Sequence, residues 1–299
     1  MAITLVEAAK LSTDTLQRGV IETFARTSPV LELLPFMTIA GNSYQYNQEG
    51  NLPDVEFRAV NEGYTESSGT VNQKQESLIM VGGDVDVDKF IAKTLGNVNN
   101  QRAIQTNMKV KRLSKTFTQK FFKGDKDVNP KEFNGLDKRL AGGQTIAAGT
   151  NGANLSIAKL HELLDMVEGG AEALFMSKAM RRELQALLEG QTHYIQVGKD
   201  NFGRTIEYFG DVAIRVVEDD VLGFNETQGT SNVAGSIYAV RFGAQEAISG
   251  LTNGGVMVED LGELETKPAY RTRVEFYAGL ADFHPKAAAR LAGVTRKLV

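Results

Sequence analysis

The chain has 299 residues and no cysteine. That absence removes disulfide scaffolds, thiolate nucleophiles and cysteine-ligated metal sites together. Histidine is almost as scarce, at His161, His193 and His284. His161 precedes Glu162, but HELLD lacks the second histidine four positions on that a zinc-protease helix needs, so His161 reads as an exposed helix residue. Nucleophile-elbow, phosphate-loop and dinucleotide-binding signatures are all missing. No apolar run approaches the roughly 18 residues of a membrane span. MAITLVEAAK has no basic leader and carries Glu7, unlike a secretory signal. The expectation is a soluble, cytoplasmic product with no membrane partner.

Two acidic features invite a chemical reading and lose it. DVDVD at 84–88 begins like a calcium loop, yet Lys89 stands where the glycine belongs and Leu95 where the bidentate glutamate belongs. Its strict alternation reads instead as a strand with an acidic face. Asp219-Asp220 and Glu259-Asp260 are adjacent pairs at strand ends, where neighbouring side chains point to opposite faces. The expectation is no catalytic residue, no cofactor and no metal. A cytosolic enzyme with a dispersed active site is the alternative.

What is present begins with Asn97 to Lys123. Ala103, Val110, Leu113, Phe117 and Phe121 recur on one side of a 3.6-residue helix, with Arg102, Lys109, Arg112, Lys120 and Lys123 roughly opposite. At 1.5 Å per residue this helix runs about 40 Å. From Lys89 to Gly124 every charge is positive, although the whole chain carries a net charge of −4, which argues against a dedicated nucleic-acid binder. Acidic residues gather at Asp84, Asp86 and Asp88 and at Glu259, Asp260, Glu263 and Glu265. Such segregation suits contacts between copies, or satisfaction within one copy.

Around the helix the chain divides. Asp14 with Gln17 resembles a helix start, and Leu16, Val20, Ile21 and Phe24 make a short apolar face that Pro29 stops. One short helix and an apolar string enclose no core of their own, so this arm must lie on the chain's body or on a neighbour's. Residues 43 to about 88 read as a long hairpin. Tyr44 and Tyr46, then Val55 and Phe57, alternate outward; the tip spans about 61–76; Ile79, Val81, Val85 and Val87 mark the return. A two-stranded hairpin is marginal alone, and its edges invite another chain. After the helix, a helix near Ser156, the buried strand ALFMS, a helix capped by Ser177 and ended at Gly190, and strands at 193–197, 205–209 and 212–217 read as an α/β segment. Alternation from Ala269 onward, with Arg271, Arg273 and Glu275 on one face, reads as strands returning beside the long helix.

SPVLELLPFMTIAGNSYQY, ALFMSKAMRRELQALLEG, FGDVAIRVVEDD and YRTRVEFYAGLADFHPKAAARL, in this order, resemble the major capsid protein of tailed bacteriophages, the Hong Kong 97-type fold. That resemblance implies an α+β subunit with an N-terminal arm (1–41), an E-loop hairpin (42–84), a P-domain (85–134 and 262–299, with its spine helix at 97–123) and an A-domain (135–261). It implies self-assembly into pentamers and hexamers of an icosahedral virion shell, built in the host bacterial cytoplasm around double-stranded DNA held non-specifically. A portal protein and a decoration protein are further implied partners, and the short arm gives the expectation of an uncleaved subunit with a separate scaffolding protein. Lys74, the only lysine on the hairpin, has no visible cross-linking partner. Expected contacts between subunits involve Tyr44, Tyr46, Phe57, Arg58, Glu62, Glu66, Lys74 and Glu76 of the hairpin and Arg102, Lys109 and Arg112 of the spine. A bacterial nanocompartment (encapsulin-type) shell protein is the other alternative.

Overall fold

A computed structural model describes residues 3–4, 15–50, 52–94, 98–140, 142–189, 195–199 and 203–296. The cap expected at Asp14, the stop at Gly190 and His193 lie outside them. In chain order the elements are β1 (Ile3–Thr4), α1 (Thr15–Thr27), α2 (Pro29–Leu33), β2 (Pro35–Thr38), β3 (Ser43–Glu49), β4 (Val71–Ser77), β5 (Ile79–Asp88), α3 (Lys89–Thr94) and α4 (Val98–Lys123). Then follow α5 (Leu136–Arg139), β6 (Thr145–Ala147), β7 (Ala153–Asn154), α6 (Ile157–Asp165), β8 (Ala173–Ser177), α7 (Lys178–Leu188), β9 (Ile195–Lys199), β10 (Thr205–Phe209) and β11 (Val212–Val217). The chain closes through α8 (Asp219–Leu222), β12 (Glu226–Gln228), β13 (Ser231–Val240), β14 (Ile248–Glu263), β15 (Ala269–Asp282) and β16 (Ala288–Thr295).

Two sheets organise the molecule. The five-stranded sheet has the order β1-β2-β14-β15-β5, and the nine-stranded sheet contains the path β6-β16-β13-β8-β11-β10-β9. α4 ties them together. Phe117 meets Phe276 of β15 at 5.7 Å, while Phe122 meets Phe175 of β8 at 5.5 Å and Tyr238 of β13 at 5.0 Å. Edge-on and tilted aromatic contacts of this kind favour one relative orientation over others. Both ring clusters belong to a single core shared by the two sheets. A second core lies where α6 and α7 place Leu160, Leu163, Met180 and Leu184 against Leu174, Met176 and Ile214.

The arm lies on this chain's own body. Val20, Ile21, Phe24 and Ala25 of α1 are buried in the shared core. Phe24 meets Phe276 at 5.2 Å, and the Ser114 hydroxyl donates to the Phe24 carbonyl at 3.0 Å. Ser28 caps α2, its Oγ accepting from the Val30 N–H at 3.2 Å with Pro29 in the first turn. β2 then runs parallel to β14. Glu32 on α2 and Arg215 on β11, both buried, pair at 3.2 Å and fasten the arm to the nine-stranded sheet.

Several expectations are corrected. Ile79–Asp88 is not the hairpin's return strand: it pairs antiparallel with β15, with Asp84 opposite Arg273. The return strand is β4, which begins inside the segment read as the tip. Residues 52–70 carry no strand, so Val55 and Phe57 lie in irregular chain. β14 from Ile248 belongs to the five-stranded sheet, whereas β16 joins the nine-stranded one. Ala103 is exposed, as is Leu187 on the expected inner stripe of α7. Asp219 and Asp220 open the helical turn α8 rather than end a strand. Among the described residues no helix is long and apolar enough to cross a membrane.

Candidate inter-subunit surface

The hairpin pairs β3 with β4 from Ser43↔Ser77 to Glu49↔Val71. Its root is packed. Tyr46 is 6% exposed, meets Phe283 at 4.7 Å, and stacks on Tyr44, which meets Phe283 at 6.3 Å. Burial pushes the Tyr46 hydroxyl up in pKa, against the Asp282 backbone N–H that donates to it at 3.2 Å. The Gln48 side-chain amide donates to the Asp282 carbonyl at 3.2 Å. On the other strand Glu76 pairs with Arg139 at 2.7 Å. Arg139 is half-buried, and its guanidinium also donates to the carbonyls of Asn134 at 2.7 Å and Leu280 at 3.0 Å. Lys74 is half-buried and carries its charge near Asp282.

The tip, 52–70, is exposed throughout. It braces itself. Arg58 lies over the Tyr64 ring at 5.2 Å and donates to the Glu62 carbonyl at 3.0 Å, and the Glu62 carboxylate accepts from the Ala59 N–H at 2.8 Å. The Ser67 hydroxyl donates to the Asp54 carbonyl at 2.8 Å, and the Thr65 N–H donates to Glu56. Asn61 turns the chain at φ 74°, where asparagine is tolerated. Leu52, Val55, Phe57, Val60 and Tyr64 all face solvent, with Val55 94% and Phe57 107% exposed. Glu66 is exposed among them.

The segregated charges are largely satisfied within one copy. Arg102 of α4 pairs with Asp260, donates to the Thr272 hydroxyl at 2.9 Å and lies over the Tyr270 ring. Lys115 pairs with Glu218 and Asp220, Lys120 with Glu132 at 2.8 Å, and Lys123 with Asp137 and Glu226. Arg273 grips Asp84 through two nitrogens at 2.8 and 3.0 Å, and Arg271 grips Asp86 at 2.7 and 2.8 Å. These forks hold both carboxyls below the usual range. Lys109 brings the end of its side chain over Gly83, and Arg112 is exposed. Among the described residues no group of three His, Asp or Glu is placed to hold a metal ion. His161 sits beside Phe209 at 5.3 Å, and His284 accepts from the Lys286 N–H at 3.2 Å through Nδ1.

Comparison with known proteins gives this arrangement a family. The sequence profile of the family described as "Major capsid protein GP7" matches residues 12–160. The chain belongs to this family of phage major capsid proteins. No curated protein matches this capsid protein by sequence. Among solved structures its fold is similar to the SrpI encapsulin of Synechococcus elongatus PCC 7942, with TM-score 0.69, 17% identity and 100% of both chains covered. It is similar also to a chain from Microbacterium phage Oxtober96, with TM-score 0.63, 13% identity and 90% of this chain against 91% of that one. A third likeness is to the virus-like particle from Pyrococcus furiosus, with TM-score 0.53, 12% identity and 92% against 97%. At these identities the likeness establishes the fold: α+β, of the phage-capsid and encapsulin kind. The family makes the chain a shell-forming structural protein and a component of a virion capsid.

Apart from Lys74, Lys109 and Arg112, the residues expected at the contacts of this capsid protein fall into two groups. Phe57, Arg58, Glu62 and Glu66 stand on the exposed tip. Tyr46, Glu76 and Arg102 are engaged inside their own subunit, with Tyr44 partly so. Arg139, Gln48 and Asp282, which hold the root, escaped the sequence reading. No local spacing marks Arg139, whose partners Glu76 and Leu280 lie 63 and 141 residues away.

Proposed function

We propose that the chain is the major head protein of a tailed phage, forming pentamers and hexamers of an icosahedral shell around double-stranded DNA. The observation that carries this reading is the tip at 52–70. Its apolar side chains face water in the single copy, while its own bonds hold it in shape. Exposed apolar clusters on an ordered segment mark interaction surfaces. A repeated subunit offers the same partner surface at every position, so a closed shell covers every tip. Phe57, Arg58, Glu62 and Glu66 are the residues assigned to the neighbour, with Lys109 and Arg112 as candidate receivers on α4. A scaffolding protein, a portal and non-specific DNA contact belong to the same reading, as does assembly in the host cytoplasm. The likeness to an encapsulin over the full length of both chains favours one second reading, a nanocompartment that encloses protein cargo.

Negative-stain microscopy of the purified chain tests the shell, and nuclease treatment of particles from the producing cell tests the content. Closed shells holding nuclease-resistant double-stranded DNA are expected. A dispersed monomer at every concentration overturns the shell-forming reading. Particles filled with an enzyme and free of DNA assign the second. Replacing residues 51–70 by Asn-Gly, which with Gly50 makes a three-residue hairpin loop that keeps Glu49 opposite Val71, is expected to abolish shells; normal shells from that variant would refute the tip's role.

A further inference from the structure

Arg139 is hard to explain as a stabilising residue. An ion pair drawn partly out of water contributes little to stability, because desolvation offsets the attraction and the remaining water screens it. What this one supplies is direction. Through Nε and Nη2 the guanidinium is fixed to the carbonyls of Asn134 and Leu280, on two separate segments of the body. Through Nη1 it reaches Glu76 on the hairpin strand β4 at 2.7 Å. The other hairpin strand, β3, is held to Asp282 by Tyr46 and Gln48. One tie would leave a hinge, whereas a tie on each strand fixes a tilt. The apolar packing of Tyr44, Tyr46 and Phe283 between them is non-directional and tolerates small rotations.

We propose that Arg139 is a positioning residue for assembly, which sets the pitch of the hairpin through Glu76 and so aims the tip at the neighbouring copy. The proposal rests on the reading that the tip contacts a neighbour. Its leverage follows from length. A seven-residue ladder is about 20 Å long at 3.3 Å per residue, so a tilt of about 10° at the root moves its far end by about 3.5 Å. That displacement exceeds the tolerance of a hydrogen bond. Arg139 therefore governs which contacts the tip makes while touching none of them.

The test uses the full chain carrying Arg139→Met with Glu76→Met, which removes both charges together and leaves neither orphaned. The expected outcome is an unchanged circular dichroism spectrum and about tenfold faster amide exchange over 43–49 and 71–77 in unassembled subunits, as for loss of one charged hydrogen bond. Microscopy should show irregular shells of broad diameter. Glu76→Gln keeps an acceptor oxygen for Nη1 and is expected to restore uniform shells. Should the double substitution fail to fold, Glu76→Ala, which leaves the body's side of the tie in place, carries the same two readouts. Uniform wild-type shells with unchanged exchange in the tie-less variant overturn the proposal. If that result comes while the 51–70 replacement still abolishes shells, Arg139 loses its role and the tip keeps its own. If the 51–70 replacement itself assembles normally, the reading beneath the proposal fails.

Discussion

Asp282 does two jobs that conflict. Its backbone anchors the hairpin, accepting from Gln48 and donating to Tyr46, and its side chain is carried into the packed root at 8% exposure. Burial pushes the carboxyl above the usual aspartate range, against the pull of Lys74, Arg139 and His284, with Glu76 adding repulsion. Its folded pKa is therefore raised above the unfolded value, so the folded state holds the proton at pH values where the unfolded chain has lost it. Stability then falls as pH rises from the ordinary aspartate value, about 3.9, through the folded one. Asp282→Asn leaves the backbone ties and removes the charge. It is expected to raise Tm at pH 7, with the gain closing as the pH approaches about 3.9. Thermal melts of the two proteins across that range check the sign. A less stable Asn variant at pH 7 would mean that attraction to Lys74 and Arg139 outweighs burial. Asp84 and Asp86 behave oppositely: their forks with Arg273 and Arg271 help above the ordinary value, and the help is lost on acidification, but both stand in solvent, where ion pairs contribute little.

At the scale of elements, β5 shows what a local pattern does and does not fix. It is the edge of its sheet, and it lies close to β15 because Gly82 has no side chain. A methyl there would collide with the Val274 carbonyl oxygen and press on the Glu275 backbone at 3.0 Å. Gly83, one residue on, faces only the end of the Lys109 side chain, which can swing away. Gly82→Ala is therefore expected to cost about 1–3 kcal/mol as an overpacked contact, and Gly83→Ala to stay within about 0.5 kcal/mol. Urea denaturation measures the difference, and faster amide exchange over 79–88 in the Gly82 variant locates it; equal losses would sink the distinction. The alternation from Ile79 to Val87 made the strand legible, but its partner is not written nearby. Asp84 and its fork Arg273 are 189 residues apart, and alternation gives a strand its faces without naming its neighbour. The long helix was legible to within a residue, Val98–Lys123 against 97–123, because a 3.6-residue period kept up over many turns has few other solutions. Its charges were legible as a face but not as pairs, since Asp260, Glu218 and Glu226 reach it from distant strands and turns. For the same reason Tyr46 and Glu76 read as surface on the hairpin, and the root that buries them came from elsewhere in the chain.

For the whole molecule, the question is which parts belong to one copy and which to the assembly. The arm helix α1 belongs to one copy. Phe24 is fully buried against Phe276, and its carbonyl accepts from Ser114 on the long helix. Phe24→Ala is expected to cost about 3–5 kcal/mol through lost contacts and the cavity left behind, a fall in Tm on the order of 10 °C for a chain this long. The tip stands at the other extreme. Its apolar side chains are solvated already, so removing them takes no buried area from the folded subunit. Replacing 51–70 by Asn-Gly is thus expected to leave Tm within about 2 °C, as for surface changes away from packed features, while shells disappear. Folding and assembly would then draw on different residues of one chain, with the hairpin root as the border between them. Melting both variants as unassembled subunits decides it. If the shortened hairpin melts as early as Phe24→Ala, the tip packs on its own body in solution and is not held out for a neighbour.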